Sequence, residues 1–295
     1  MKNKFLYFSV IFFLNLFLSS SAHSREIFNF DVTEIEISQN GNIFKGIKGG
    51  KAFTNDGISI KAENFEYNKI LTTLISDGNV ELRDSKKNII IKANKILYSK
   101  NNEIIIAEKN VELKDLKKNI LIKADKISYF KDQEKIIANK EVELKDLELE
   151  TIIRGDEISY FKKEEKIIAN KEVELIDNKK DIFINTDRIT YLKQKEKIFT
   201  EGQTIASIHS KYNFFSKNVT FLKNEMELSS SYKTIITDNT GSSYEVENFN
   251  FQIKKEFLKA SNISVIQNTA AKIGESERLF FESGFFDLKN KNFKT

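Results

Sequence analysis

The side chains that most often carry out chemistry are scarce in this sequence, and that scarcity is its first constraint. The 295 residues include no Cys and only two His, His23 and His209. Without thiols there is no disulfide framework, no thiol nucleophile and no cysteine-based zinc or haem site. Two His exclude multi-His metal centres and most catalytic triads. Two sets of reactive residues do recur at a fixed spacing. Tyr67, Tyr98, Tyr129, Tyr160 and Tyr191 follow one another every 31 residues. Four residues before each stands Glu63, Asn94, Asp125, Asp156 or Asp187. A carboxylate column of that kind has the chemistry of a metal site. However, its charge varies between copies and it falls at a bend, where Asp and Asn serve turns and bulges. Tyrosine is amphipathic, so the Tyr column reads as a ladder with buried rings and wet hydroxyls, or as the mouth of a ligand site. No catalytic residue, metal ligand or cofactor is assigned.

The elements that place these residues repeat with them. Around the tyrosines the sequence reads AENFEY, ANKILY, ADKISY, GDEISY and TDRITY. Thirteen residues after each Tyr stands the third residue of GNVEL, KNVEL, KEVEL, KEVEL and the weaker GQTIA. The decapeptide KIIANKEVEL occurs at Lys135 and again at Lys166, which suggests a local tandem duplication. Within a copy the apolar period is 2, the period of a strand. Ile122 and Ala124 share one parity, Ile127 and Tyr129 the other, so a bulge or bend is expected near Asp125 and Lys126. Gly78 and Gly202 mark turns or bulges that need unusual backbone angles. The flanks are degenerate: Phe28–Ile37 and Lys51–Ile60 read as strands before the repeat, and Phe280–Leu288 is a last apolar stretch. One continuous all-β domain is expected over residues 25–295, with the repeats at about 60–206.

Composition fits an exported chain. It is 40% hydrophobic and 31% charged, with 47 Lys+Arg against 43 Asp+Glu, giving +4. The charges are interspersed, and no concentrated basic face argues for nucleic acid. Lys2 and Lys4, the apolar run Phe5–Leu18 and the A-x-S pattern at Ala22–Ser24 have the form of a secretory signal over residues 1–24.

A unit of two strands cannot bury its apolar face alone, so neighbours must stack. The register aligns columns of apolar side chains. One holds Ile60, Ile91, Ile122, Ile153 and Ile184, and a second Phe65, Ile96, Ile127, Ile158 and Ile189. A third holds Val80, Val111, Val142 and Val173, and a fourth Leu82, Leu113, Leu144 and Leu175. These columns are either plain core or the lining of an apolar trough. A trough would hold acyl chains through burial, at roughly 0.8 kcal/mol per CH₂.

The pattern I-x-A-D-K-I-x-Y followed by I-x-A-x-G-N-V-x-L, at Ile91–Tyr98, Ile122–Tyr129, Ile153–Tyr160 and Gly78–Val80, resembles the OstA-like (LptA-like) domain of lipopolysaccharide transport. Within that family the stretches FNFDVTEIEISQNGNIFKG and SKYNFFSKNVTFLKNEMELSSS are most similar to the N-terminal periplasmic part of LptD. The resemblance implies an elongated twisted β-jellyroll, or slit β-cylinder, built from ~31-residue repeats. It implies a periplasmic scaffold beside the outer membrane that passes lipopolysaccharide onward with its acyl chains in the trough. Implied partners are lipopolysaccharide, related jellyroll domains joined end to end by edge strands, and an outer-membrane barrel with its lipoprotein plug. The barrel itself, and the family's usual cysteines, are missing before Thr295. The expectation is therefore a barrel-free chain, either truncated or a stand-alone homologue. Two other classes compete. A β-helix enzyme would need acidic and basic groups aligned on an exposed face, and the repeated inner positions are apolar instead. A structural or adhesive repeat protein would have a closed, fully packed core.

Overall fold

The computed structural model describes residues 28–267, 277–290 and 292–294; the secretory segment expected over 1–24 lies outside them. The described chain is all-β. Its strands are β1 (Asn29–Ser38), β2 (Ile43–Phe53), β3 (Ile58–Ala62), β4 (Asn64–Asn68), β5 (Thr73–Asp84), β6 (Ile89–Ser99) and β7 (Ile104–Asp115). They continue with β8 (Ile120–Phe130), β9 (Lys135–Asp146), β10 (Thr151–Phe161), β11 (Lys166–Asp177), β12 (Ile182–Leu192) and β13 (Lys197–Ile208). The last are β14 (Tyr212–Lys217), β15 (Thr220–Leu222), β16 (Glu227–Ser230), β17 (Thr234–Asp238), β18 (Ser243–Gln252), β19 (Phe257–Gln267), β20 (Glu277–Asp287) and β21 (Asn292–Lys294). All belong to one sheet. Among the described residues no helix is long and apolar enough to cross a membrane.

From β5 to β13 each strand pairs antiparallel with the next, so the repeat is a run of hairpins. The alternation of Ile, Val, Leu and Tyr with charged residues puts one face inward along each strand. The bend expected at Asp125 is a bulge carried by the facing strand. Between the pairs Glu108↔Lys126 and Val111↔Ala124, β7 carries two residues against one in β8. Those two, Lys109 and Asn110, have φ of 66° and 53°, in the left-handed region. Lys140 with Glu141, and Lys171 with Glu172, repeat the conformation. Gly78 and Gly202 occupy it where the chain can spare a side chain, with φ of 82° and 91°. The acidic column faces these bulges: Glu63 accepts from Asn79 Nδ2 at 2.6 Å, and Asp187 accepts from the Gln203 amide at 3.2 Å.

The expected architecture, an open jellyroll or slit cylinder of repeats with no barrel in the chain, is corrected. Six strands near the C-terminal side close on themselves in the order β13–β14–β17–β18–β16–β15 and back to β13. This closed barrel-like ring carries the other strands outside it, the repeat hairpins joining through β12. Local chain breaks cause the closure. At Asn218 (φ 49°) the chain leaves β14. The Val219 amide then donates to Thr200 Oγ1 at 2.7 Å instead of continuing the ladder. The Tyr232 amide donates to Ser230 Oγ at 3.1 Å where β16 gives way to β17. Each half-strand thereby finds its own partner. Inside the ring Phe214 lies against Phe249 and Phe251, ring centroids 5.5 and 5.2 Å apart.

Candidate functional site

The columns identified in the sequence come together as rows across the sheet. One row runs Leu82, Ile91, Leu113, Ile122, Leu144, Ile153, Leu175, Ile184, each paired with the next. A second runs Ile96, Ala107, Ile127, Ala138, Ile158, Ala169, Ile189. The valines pair with small partners, Val111 with Ala124, Val142 with Gly155 and Val173 with Thr186. Every one of these positions is at most 2% exposed, apart from Ala124 at 9% and the partly buried Gly155 and the 3%-exposed Thr186. The lining is a packed interior, not an open trough. The expectation of wet tyrosine hydroxyls is also corrected: Tyr98, Tyr129, Tyr160 and Tyr191 are at most 1% exposed. Burial first, and nearby carboxylates next, push the hydroxyl pKa of Tyr129, Tyr160 and Tyr191 up.

A charged seam closes over this interior. Each strand meets two kinds of turn. One turn begins with Asp84, Asp115, Asp146 or Asp177. The other begins with Lys131, Lys162, Lys193 or Lys223. The two rows of turns lie side by side, so residues 45–47 apart in the chain meet. Lys162 Nζ is 3.0 Å from Asp115, Lys193 is 3.2 Å from Asp146 and Lys223 is 2.8 Å from Asp177. Lys131 reaches Asp84 at 4.0 Å and Glu103 at 2.7 Å. All these lysines and aspartates are buried. Each Asp uses its other oxygen within its own turn. Asp84, Asp115, Asp146 and Asp177 accept the amides of Lys87, Lys118, Leu149 and Lys180 at 3.0–3.2 Å. The lysines also tie to backbone, Lys162 to the Lys87 carbonyl at 3.1 Å and Lys193 to the Lys118 carbonyl at 2.9 Å. Paired in this way, buried charge is tolerated where a lone ion would not be.

The tyrosines sit directly beneath. Lys131 donates to Tyr98 Oη at 3.1 Å, Tyr160 donates to Asp115 at 3.4 Å, and Lys223 lies 5.3 Å above the Tyr191 ring. Burial opposes the Lys131 charge, yet its bonds to Glu103 and Tyr98 raise its pKa overall. At Lys223 burial outweighs Asp177 and lowers the pKa. An outer row of pairs covers the inner one. Lys87 bonds Glu134 and Lys118 bonds Glu165, which holds both carboxyls below their usual range. At one end Asp56 bonds Lys100 at 2.6 Å; despite the upward push of burial, that partner and Thr54 lower its pKa to about 2.

The seam was not assigned from the sequence, although its signal was there. Lys100, Lys131, Lys162 and Lys193 each follow a column Tyr by two, and each seam Asp follows a column Leu by two. Among the hollows of the described surface, one of about 390 Å³ sits on this seam, lined by Asp56, Asp84, Lys86, Lys87, Glu103, Lys131 and Asp132. Another of about 450 Å³, lined by Thr190, Phe199, Thr200, Glu201, Asn218, Val219 and Thr220, lies at the ring. Neither has the apolar lining of an acyl-chain site.

The described residues thus form buried apolar rows under a charged seam of paired lysines and aspartates. A family profile described as LptA/(LptD N-terminal domain) LPS transport protein matches residues 59–166. That is distant homology to a periplasmic lipopolysaccharide-transport domain, over about a third of the chain. Among solved structures, the chain is similar to LptH from Pseudomonas aeruginosa, the LptA homologous periplasmic component of the lipopolysaccharide transport device. The identity is 16%, over 39% of this chain and 82% of that one, with a TM-score of 0.34. No curated protein matches.

Proposed function

We propose that this chain is a lipopolysaccharide-transport scaffold that carries acyl chains along its buried apolar rows. The observation that supports it most directly is the unbroken row from Leu82 to Ile184. It crosses β5 to β12, and at about 4.8 Å per strand it gives roughly 34 Å of apolar path. The match over residues 59–166 falls on the same hairpins. Because the interior is packed, loading requires the seam to part and the rows to separate. The rows would regain part of that loss by contacting the lipid. Partners join at the free sheet edges. Among the described residues β1 pairs with β2 alone and exposes Ile35 and Ile37, which suits strand addition by a related β domain.

The packed core also favours a second reading, a structural or adhesive repeat protein with no lipid ligand. One experiment separates the two. A photoreactive residue is placed at Ile122 or Ile158 and, as control, at the exposed Lys123, and the full chain is mixed with lipopolysaccharide. Carriage predicts strong crosslinks from Ile122 and Ile158. Crosslinks no stronger than from Lys123 would leave the structural reading standing alone.

A further inference from the structure

The outer row of the seam lacks one pair. Lys87, Lys118 and Lys180 hold the same half-buried position in successive seam turns, and the 31-residue spacing puts Leu149 at the place between Lys118 and Lys180. By the same spacing its partner would be Glu196, as Glu134 is for Lys87 and Glu165 for Lys118. Glu196 instead faces Lys180 at 3.5 Å. Leu149 packs against the core, while Leu147 in the same turn is 58% exposed. Leu116, the equivalent of Leu147 one repeat earlier, is exposed too, but beneath it the Lys118–Glu165 pair seals the way in. The Leu147–Glu150 turn therefore carries one exposed leucine and one half-buried leucine packed on the core, where the turn one repeat earlier carries a Lys–Glu pair. What remains across the seam there is the inner row, Lys193 with Asp146 at 3.2 Å and with Glu148 at 3.7 Å, and Lys223 donating to Thr151 Oγ1 at 2.7 Å just past the turn. Elsewhere both rows must part.

We propose that this turn is a lateral port through which an acyl chain of an anionic lipid passes between solvent and the core. The proposal rests on the lipid-carrying reading above. The charges around the turn fit that occupant. Lys179 lies beside it, donating to the Glu148 carbonyl at 2.8 Å and facing Glu150 at 3.5 Å, and Lys118 and Lys180 flank it. An anionic headgroup arriving at the seam displaces Glu150 and Glu196 from Lys179 and Lys180, and the chain below it finds Leu147 and then Leu149. The Lys179–Glu150 pair is exposed and weak enough to exchange, and the half-buried Lys180–Glu196 pair is held only at 3.5 Å.

The test uses the full chain with a photoreactive residue at Ile158 and follows the rate at which purified lipopolysaccharide becomes crosslinked. Leu149→Lys completes the row with Glu196 and slows loading several-fold. Lys118→Leu opens a second gap and speeds it. Leu149→Lys adds a pair that neighbouring repeats already hold, so it is compatible with the fold. Lys118→Leu gives an independent readout of opposite sign. Loading at the wild-type rate in both variants overturns the port while leaving lipid carriage intact. No crosslink from Ile158 in the unsubstituted chain overturns carriage and the port with it.

Discussion

Asp115 divides its two carboxylate oxygens between separate tasks. Oδ1 accepts the turn amides of Lys117 and Lys118, both at 3.2 Å, and Oδ2 faces Lys162 at 3.0 Å and Tyr160 at 3.4 Å. Removing one partner of a buried ion pair costs about 3–5 kcal/mol, chiefly because the other charge is left without compensation. Lys162→Met leaves Asp115 with its turn and with Tyr160, and belongs at the low end, about 3 kcal/mol. Asp115→Ala strands Lys162 and also strips the turn of its acceptor, a further loss of about 1–2 kcal/mol. Urea unfolding of the two variants measures the difference. Equal losses would mean that the carboxylate organises the seam alone and not the turn. The same division of labour explains why the seam escaped the sequence reading. A Lys or Asp between apolar residues has the pattern of a solvated face, and nothing local shows that a second turn will cover it.

At the scale of elements, the hairpins were legible and their meeting was not. Period-2 alternation and the 31-residue spacing mark which residues share a face; that Ile122 lies opposite Leu144 and Ile127 opposite Ala138 is seen only in the structure. The bulge was legible at Asp125, where β8 switches parity, but its extra residue sits in the facing strand at Lys109 and Asn110, where two residues are passed and Ala107 and Val111 keep one parity. Two features lay beyond the repeat. The ring from β13 to β18 begins where the period fades after Gly202, and it depends on breaks at Asn218 and near Tyr232 that no spacing announces. The seam joins residues 45–47 apart, a distance set by how the strands bend. The outer pairs give this joint a pH signature. The carboxyls of Glu134 and Glu165 are held below the ordinary value of 4.5 by Lys87 and Lys118. The unfolded chain then binds more protons than the folded one between the lowered values and 4.5. Stability is fully present above that window and is lost as pH falls through it. Urea midpoints at pH 6 and pH 3 should differ less in a Glu134→Gln, Glu165→Gln double variant than in the unsubstituted chain. An unchanged difference would assign the acid loss to other carboxyls, Asp56 and Glu103 first.

Considered as a whole, the molecule is a stack of interchangeable hairpins ending in a closed ring, and that construction dictates which deletions it tolerates. In a stacked repeat each unit contacts its neighbours, so stability is close to a sum of unit and interface terms. Removal of residues 135–165 takes out 31 residues and joins Glu134 to Lys166, where the sequence resumes with the same KIIANKEVEL. Strand direction, face parity and the identity of each turn are all kept. The outer row is kept as well: Lys118 loses Glu165 but finds Glu196 at the same chain distance of 47 residues, and the turn that carries Leu149 is gone. The shortened chain should fold cooperatively, with a urea m-value lower by about a tenth, in line with the surface it no longer buries. Removal of residues 135–150 is a smaller change with a larger effect. It deletes one strand and one turn, so β10 runs the wrong way, Lys-type turns fall where Asp-type turns are needed, and the seam places like charges together. That chain should lose its cooperative transition. Circular dichroism with urea titration separates the outcomes, and a collapse of the 31-residue deletion alongside the shorter one would show that the hairpins are not interchangeable and that the ring depends on each of them.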